Sequence, residues 1–240
     1  RRQQRFVRVD DQRWVELSAA LRERLQPIAD ATFHGKHGME LSPAAADALA
    51  LSGVKVDAAP AWQELAAKAA SAKRLRPKPP AALAGTLREY QQDGHAWLAR
   101  LAAWGTGACL ADDMGLGKTV QAIALLLDRA KKGPALVIAP TSVTLNWVDE
   151  LRRFAPSLKP IVYAEKRSLD VGRGDVLIAS YGLLVRDVDK LAARRFETVI
   201  LDEAQALKNA TTQRAKAART LDAGFRLAMS GTPLENNVGE

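Results

Sequence analysis

Short apolar runs and amphipathic stretches alternate from residue 81 to the end of this 240-residue chain. The runs resemble buried strands, and the stretches between them repeat apolar residues at helical spacing. Strands that alternate with helices form a parallel sheet with helices on both faces, so we predict an α/β fold. The predicted strands lie near 107–111, 135–139, 160–164, 175–179, 198–202 and 225–229, and the predicted helices near 87–103, 118–131, 144–154, 182–191 and 211–221.

The segment Asp112–Thr119 carries the clearest chemical signal. Its sequence is Asp-Asp-Met-Gly-Leu-Gly-Lys-Thr, and it lies between a predicted strand and a predicted helix. A triphosphate needs backbone N–H groups, a cation and a hydroxyl ligand for Mg²⁺, which glycines, lysine and threonine supply. The following helix adds a dipole that attracts phosphate. The predicted ATP-binding residues of this segment are Asp112, Asp113, Met114, Gly115, Leu116, Gly117, Lys118 and Thr119.

The general phosphate-loop pattern has glycine where this chain has Asp112. A glycine-rich turn that only joins a strand to a helix is therefore a competing interpretation. A second site favours phosphate binding, because a β-branched apolar run ends in Asp202 and Glu203. Taken alone, such acids are more often solvated loop residues. Ligands of open α/β sheets, however, bind at the carboxyl ends of the strands, where these acids are predicted to lie. We assign Asp202 and Thr119 to Mg²⁺, and Glu203 and Lys118 to catalysis, with Glu203 as the base.

Six motifs, in order, resemble those of the Swi/Snf-type branch of superfamily-two helicases, the ATP-driven translocases of double-stranded DNA. Asp112–Thr119 is similar to the family's phosphate loop, including the aspartate that the general pattern lacks. Leu87–Leu98 resembles the adenine-side motif, which implies that Gln91 contacts the base. Asp202–Gln205 resembles the metal and water motif. Gln205 stands where many members have histidine, a form more like the bacterial members, and its role stays open.

The remaining motifs imply contacts beyond the nucleotide. Val137–Leu151 and Ile178–Tyr181 resemble elements that contact the DNA backbone, and Leu227–Asn237 resembles the motif that couples hydrolysis to movement. Ser180 has a competing interpretation as a helix cap, and Trp147 as a contact within the protein core rather than with DNA. The implied DNA contacts are Pro140, Thr141, Asn146, Ser180 and Tyr181. The implied coupling residues are Ser230, Gly231 and Thr232, which also fit a simple turn.

The resemblance implies a RecA-like first helicase lobe over residues 81–240, truncated at its C-terminal end. It also implies a DNA-dependent ATPase that uses ATP and Mg²⁺ and contacts duplex DNA through the phosphate backbone. The family's second lobe supplies arginines to the site, so we expect this chain alone to hydrolyse ATP barely, if at all. The competing hypotheses are an RNA helicase of the same superfamily and a non-catalytic protein-binding module.

Residues 1–80 lack the regular alternation of strands and helices that follows residue 81. Their pattern predicts a small, mostly helical accessory domain that ends in a basic, proline-rich linker. Alternation over residues 6–17 predicts a hairpin, and Ser18 predicts the cap of a first helix. Further helices are predicted from Ser42 and over residues 60–75. We expect this region to bind a protein partner.

Composition narrows the class of protein without deciding its function. The net charge of +8 suits a polyanion partner but is common on soluble domains. Since no apolar run approaches about 18 residues, we expect no membrane association. We also expect a cytoplasmic protein, nucleoid-associated if bacterial, and a monomer. His34 and His37 have no further ligands nearby, so we assign no zinc. Cys109 is the only cysteine and lies in an apolar run, so we expect a buried, inert thiol.

Overall fold

The computed structural model describes residues 6–8, 14–30, 32–35, 38–41, 60–164 and 168–231. The chain divides into two compact units, residues 1–74 and 75–240. The strands described in the first unit form two antiparallel hairpins, β1 (Phe6–Arg8) with β2 (Trp14–Glu16), and β3 (Thr32–Gly35) with β4 (Gly38–Leu41). The helices described in this unit are α1 (Ala19–Asp30) and α2 (Pro60–Arg74).

The first hairpin and the first helix agree with the predictions from the sequence. The Ser18 hydroxyl accepts a hydrogen bond from the backbone N–H of Leu21 at 3.2 Å, as expected of a helix cap. The β3–β4 hairpin was not predicted, because its strands are short and begin or end in glycine, which weakens the strand pattern. His34 lies in β3, whereas His37 and the helix predicted from Ser42 lie outside the described residues.

The second unit contains a six-stranded parallel sheet in the order β5-β12-β10-β6-β8-β7. Its strands are β5 (Ala108–Leu110), β6 (Ala135–Ala139), β7 (Lys159–Val162), β8 (Asp175–Ser180), β10 (Thr198–Leu201) and β12 (Arg226–Met229). A separate parallel pair joins β9 (Arg195–Phe196) to β11 (Asp222–Ala223). The helices are α3 (Glu89–Trp104), α4 (Lys118–Arg129), α5 (Thr144–Phe154), α6 (Tyr181–Arg186), α7 (Val188–Ala192) and α8 (Gln213–Thr220), with 3-10 turns at Thr141–Val143 and Ala204–Leu207.

Each face of the sheet has its own apolar core, because alternate residues of a strand point to opposite faces. On one face, helices α3, α4 and α5 pack on the sheet through residues that include Leu98, Ile123, Val137 and Leu151. On the other face, helices α6, α7 and α8 pack through residues that include Leu136, Leu184, Leu191 and Ala217. The predicted α/β fold with helices on both faces is therefore confirmed. The helix predicted over 182–191 is divided in two at Asp187, whose backbone is not helical.

The expectation of a buried Cys109 was wrong, because its thiol is exposed. Cys109 occupies the middle of β5, a three-residue strand at the edge of the sheet. Its neighbours Ala108 and Leu110 face the core that α3, α4 and α5 cover, so Cys109 faces the opposite side. None of the helices in the described part of the chain is long and apolar enough to cross a membrane.

The last turn of α4 is attached to the start of β10 by Arg129, which is 5% exposed. The Arg129 guanidinium donates to Thr198 Oγ1 at 2.8 Å, to the Glu197 carbonyl at 2.9 Å and to Glu197 Oε1 at 2.6 Å. It also lies 5.3 Å from the centre of the Phe225 ring. These contacts fix two elements whose opposite ends carry the predicted phosphate loop and the predicted acids.

Candidate nucleotide-binding site

The segment Asp112–Thr119 connects edge strand β5 to helix α4. Gly115 and Gly117 have φ angles of +83° and +75°, in the left-handed region that side chains disfavour. A Cβ on Gly117 would lie 2.5 Å from Gln91 Nε2, so this position also lacks space for a side chain. Loops of this conformation turn successive backbone N–H groups toward one point, which forms a concave site for an anion.

Lys118 lies at the start of α4 with its ammonium folded over the loop that precedes it. The Nζ atom donates to the carbonyl oxygen of Asp112 at 2.7 Å and to that of Asp113 at 2.9 Å. Burial raises the pKa of the Asp202 carboxyl, and the Lys118 charge is one of the contributions that oppose this rise. The lysine of the predicted phosphate loop is therefore within electrostatic reach of the predicted metal ligand. Thr119 is half-buried in the first turn of α4.

Asp112, the residue that departs from the general pattern, is held by Gln121 of α4. Gln121 Nε2 donates to Asp112 Oδ2 at 3.0 Å, and the Gln121 side chain is fully buried. Gly94 of α3 makes room for it, since a Cβ there would lie 1.9 Å from Gln121 Oε1. Sequence analysis missed Gln121, although a polar residue on the apolar face of a predicted helix was a signal for it.

Gln91 contacts the phosphate loop directly and is 9% exposed. Its Nε2 donates to the Leu116 carbonyl at 3.2 Å, and its Oε1 accepts from the backbone N–H of Arg88 at 2.9 Å, which caps α3. The Tyr90 hydroxyl donates to the same Leu116 carbonyl at 3.2 Å. The two side chains therefore attach the start of α3 to the loop.

Asp202 follows β10 and is 8% exposed. Its Oδ2 accepts from the indole N–H of Trp147 at 2.8 Å, and its Oδ1 accepts from the backbone N–H of Glu203 at 2.9 Å. Burial raises the pKa of the Asp202 carboxyl, because the charged form loses hydration, and these two donors partly offset the rise. The Tyr181 hydroxyl donates to the Asp202 carbonyl oxygen at 2.8 Å. Burial, with the charges of Asp202 and Glu203, also raises the Tyr181 pKa, so its hydroxyl stays a donor.

Gln205, whose role the sequence left open, bridges two of the predicted motifs. Its Nε2 donates to Glu203 Oε2 at 2.7 Å, and its Oε1 accepts from the Ser230 hydroxyl at 2.9 Å. Glu203 itself has a left-handed backbone, with φ 50° and ψ 52°. The bridge connects the acid assigned as the base to the end of β12.

The predicted coupling segment also touches the phosphate loop. A Cβ on Gly231 would lie 2.6 Å from Met114 Cγ and 3.8 Å from Lys118 Nζ. Thr232 lies outside the described residues. The predicted phosphate loop, Asp202–Glu203 and Ser230–Gly231 therefore lie at the carboxyl ends of β5, β10 and β12, and Gln91 reaches the loop from α3.

The predicted DNA contacts differ in exposure. Thr141 and Asn146 are exposed and Pro140 is half-buried, whereas Ser180 and Tyr181 are 8% and 4% exposed. The Ser180 hydroxyl accepts from the backbone N–H of Leu183 at 3.3 Å, which is the helix cap that was the competing interpretation. The burial of both side chains argues against their direct contact with a DNA phosphate. Trp147 is 1% exposed and lies in the protein core, not at the surface.

The residues present fit a nucleotide with a magnesium ion. The donor set is a threonine hydroxyl and an aspartate carboxylate, which are the hard oxygen ligands that Mg²⁺ prefers. Each Asp202 oxygen accepts one hydrogen bond, so each keeps a further lone pair for a metal. Gly117 and Gly231 line the loop at points that a Cβ would fill. Thr119 and Asp202 could therefore hold the metal, and the loop could hold phosphate.

Comparisons with known proteins identify the family to which the chain belongs. The chain is 41% identical over 206 residues to YwqA of Bacillus subtilis, covering 81% of this chain and 22% of that protein. It is 44% identical over 174 residues to helicase SWR1 of Gibberella zeae, covering 67% of this chain and 10% of that protein.

A solved structure, the SWI2/SNF2 ATPase core of Sulfolobus solfataricus in complex with dsDNA, matches with a TM-score of 0.62 and 41% identity. The match covers 68% of this chain and 35% of that one. The chain thus spans about a fifth or less of the two curated relatives above. A family model described as the SNF2-related domain matches residues 90–240. The chain therefore belongs to the SNF2 family of helicase-like ATPases.

Proposed function

We propose that residues 81–240 form the first RecA-like lobe of an ATP-dependent translocase of double-stranded DNA. The observation that supports this most directly is the hydrogen-bonded chain Glu203–Gln205–Ser230 beside the phosphate loop. A passive phosphate-binding turn does not need an acid connected to a second strand. A protein with this function would act in the cytoplasm, at the nucleoid in a bacterium.

In this proposal each residue has a separate task at the site. Bound Mg²⁺ would neutralise negative charge that develops on the phosphates. Lys118 would add a second cation, because its Nζ can leave the carbonyls of Asp112 and Asp113 for a stronger anionic partner. Glu203 would orient and deprotonate water, and its Oε1 is not used in the bond from Gln205.

We propose that duplex DNA contacts the surface at the start of α5, where Pro140, Thr141 and Asn146 are accessible. Such contacts go to the phosphate backbone, so they place the duplex without reading its sequence. Ser180 and Tyr181, which the family resemblance implies as DNA contacts, would support this surface from inside the protein.

Nucleotide binding can be tested with this chain by equilibrium dialysis against ATP in the presence of Mg²⁺. We expect measurable binding that Lys118→Ala abolishes, while Glu203→Gln leaves affinity unchanged. Lys132→Ala, at an exposed site after α4, is the matched control. Equal affinity in wild type and Lys118→Ala would contradict the assignment of the loop to phosphate.

We propose that fast ATP hydrolysis requires a second lobe and that this chain alone hydrolyses ATP slowly. Arginines supplied from another domain contribute roughly 10³–10⁵ in rate at such sites. In a two-lobe protein, duplex DNA should stimulate ATP hydrolysis and Glu203→Gln should stop it. Stronger stimulation by RNA than by DNA would favour an RNA helicase instead.

We propose residues 1–80 as an accessory region that binds a protein partner. Residues 1–74 form a compact unit distinct from residues 75–240, which supports a separate role for this region. A pull-down with and without residues 1–80 tests this, since partner capture should require them. Unchanged capture after their removal would contradict the proposal.

A further inference from the structure

Two aromatic side chains from different elements converge on Asp202. Trp147 of α5 donates its indole N–H to Asp202 Oδ2 at 2.8 Å, and Tyr181 of α6 donates its hydroxyl to the Asp202 carbonyl at 2.8 Å. Both side chains are buried, with exposures of 1% and 4%. Neither bond is needed to complete a helix or a sheet, so both serve to hold this one residue.

The carboxylate of Asp202 is fixed from both sides. Its Oδ2 is bonded to Trp147 and its Oδ1 to the backbone N–H of Glu203, so rotation about the Cβ–Cγ bond would break both bonds. The lone pairs that remain for a metal consequently have a set direction. A phenyl ring in place of the indole would fill most of the same space without fixing that direction.

Trp147 also belongs to the helix whose start carries the proposed DNA surface. Asn146 is its immediate neighbour and is exposed, while Trp147 is turned into the core. The Thr144 hydroxyl donates to the Thr141 carbonyl at 2.9 Å, which joins the preceding 3-10 turn to α5. A displacement of this segment by DNA would therefore move the indole N–H that orients Asp202.

We propose that Trp147 and Tyr181 are positioning residues that couple duplex DNA binding to metal–nucleotide binding through Asp202. This inference rests on the proposed function, since it requires a lobe that binds both ligands. Coupling of two sites is reciprocal, so DNA and the metal nucleotide must raise each other's affinity by the same factor. That factor is the quantity to measure, because a residue that only fills the core would not change it.

The test uses the 240-residue chain, Mn²⁺ with ADP as the metal–nucleotide probe, and a fluorescent DNA duplex of random sequence. The electron paramagnetic resonance of free Mn²⁺ gives the dissociation constant with and without duplex, and fluorescence anisotropy gives the duplex affinity with and without Mn²⁺–ADP. The wild-type chain should show a coupling factor of roughly fivefold or more. Trp147→Phe, which keeps an aromatic ring but has no N–H, should reduce the factor to less than about twofold.

Trp62→Phe is the matched control, since Trp62 is half-buried on α2, outside the proposed lobe. It should keep the wild-type factor. Tyr181→Phe tests the second bond to Asp202, and it takes the place of Trp147→Phe if that variant does not fold. Its coupling factor should also fall, while circular dichroism and duplex affinity without Mn²⁺–ADP stay unchanged.

The outcomes separate the two proposals. Wild-type chain that binds neither duplex nor Mn²⁺–ADP would overturn the proposed function and this inference together. If Trp147→Phe and Tyr181→Phe both fold and both keep the full wild-type coupling factor, the inference alone is overturned. Loss of coupling in these variants, but not in Trp62→Phe, would support it.

Discussion

Gly94 of α3 lies directly against the side-chain amide of Gln121 in α4, where a Cβ would come within 1.9 Å of Gln121 Oε1. Any side chain at position 94 would displace Gln121 and break its bond to Asp112 Oδ2. The glycine is therefore a requirement of the phosphate loop as much as of helix packing.

We expect Gly94→Ala to lower the free energy of unfolding by about 1–3 kcal/mol, as is typical of overpacked sites. The sign is opposite to the usual helical preference for alanine over glycine of about 1 kcal/mol. Urea denaturation measures the change, and equilibrium dialysis should show weaker ATP binding. Gly182→Ala in α6 is the control, because its Cβ would meet only Ser180 Oγ at 3.8 Å. The explanation would be contradicted if Gly182→Ala lowered the free energy of unfolding and Gly94→Ala left it unchanged.

The bridge from Glu203 through Gln205 to Ser230 predicts energetic coupling between two strand ends. Because one hydrogen bond joins Gln205 to Ser230, a double-mutant cycle of Gln205→Ala and Ser230→Ala should give a coupling energy of about 1 kcal/mol. Urea denaturation of the four proteins measures it. Gln205→Ala combined with Thr144→Ala shares no such bond and should be additive.

The raised pKa of Asp202 predicts how the Trp147 bond depends on pH. Because the folded state holds the proton more tightly than the unfolded chain, the charged carboxylate disfavours folding above its folded pKa. This penalty is relieved as pH falls through that pKa. The Trp147 bond lowers the pKa and offsets part of the penalty, so it matters most while Asp202 is charged.

Trp147→Phe should therefore cost about 2 kcal/mol of unfolding free energy near neutral pH and about 1 kcal/mol or less once Asp202 is protonated. Urea denaturation in the presence of EDTA, repeated at decreasing pH, measures this. Trp97→Phe should show a small effect that does not vary with pH. A Trp147→Phe deficit that grows toward acid pH would contradict the predicted sign.

Arg129 predicts a large loss of stability from a residue far along α4 from the phosphate loop. Its removal leaves Glu197 and Thr198 without a buried partner, so Arg129→Ala should cost about 3 kcal/mol. The exposed pair of Arg195 with Asp222, at 3.0 Å, provides the control. Arg195→Ala should cost less than about 1 kcal/mol, because solvent screens surface ion pairs. Thermal and urea denaturation should rank the two variants in this order.

The left-handed backbone of Glu203 predicts an inverted preference between glycine and alanine. Both substitutions remove the bond from Gln205, but only glycine avoids a Cβ at φ 50°. Glu203→Gly should be more stable than Glu203→Ala by about 1 kcal/mol. At Glu150 in α5, alanine should instead be the more stable by about 1 kcal/mol. The same order at both positions would show that the backbone at Glu203 is not strained.

The sheet was predicted well from the sequence, because each central strand is an apolar run that is stable only when both of its faces are buried. The run at 135–139 is buried on both faces, and its boundaries were predicted to the residue. Cys109 was placed wrongly because a local pattern does not reveal which strand lies at the edge of the sheet. The β3–β4 hairpin was missed because its pairing, not its composition, makes it a strand pair.

At the candidate site, the sequence indicated groups that we propose as ligand contacts, but not the side chains that hold those groups. Lys118 and Asp202 lie in recognisable motifs, whereas Gln121 and Trp147 act across the fold. The partners Trp147 and Asp202 are 55 residues apart, and their contact depends on how α5 packs beside β10. The burial of Tyr181 likewise follows from packing against the sheet, which the motif does not encode.

Among the described strands, β5 pairs with β12 alone, and β12 leads into Ser230 and Gly231. The loop that follows β5 therefore lies beside the end of β12, where a Cβ on Gly231 would reach Met114. We therefore expect a shift of residues 230–231 to reach Met114 of this loop before it reaches the four strands beyond β12.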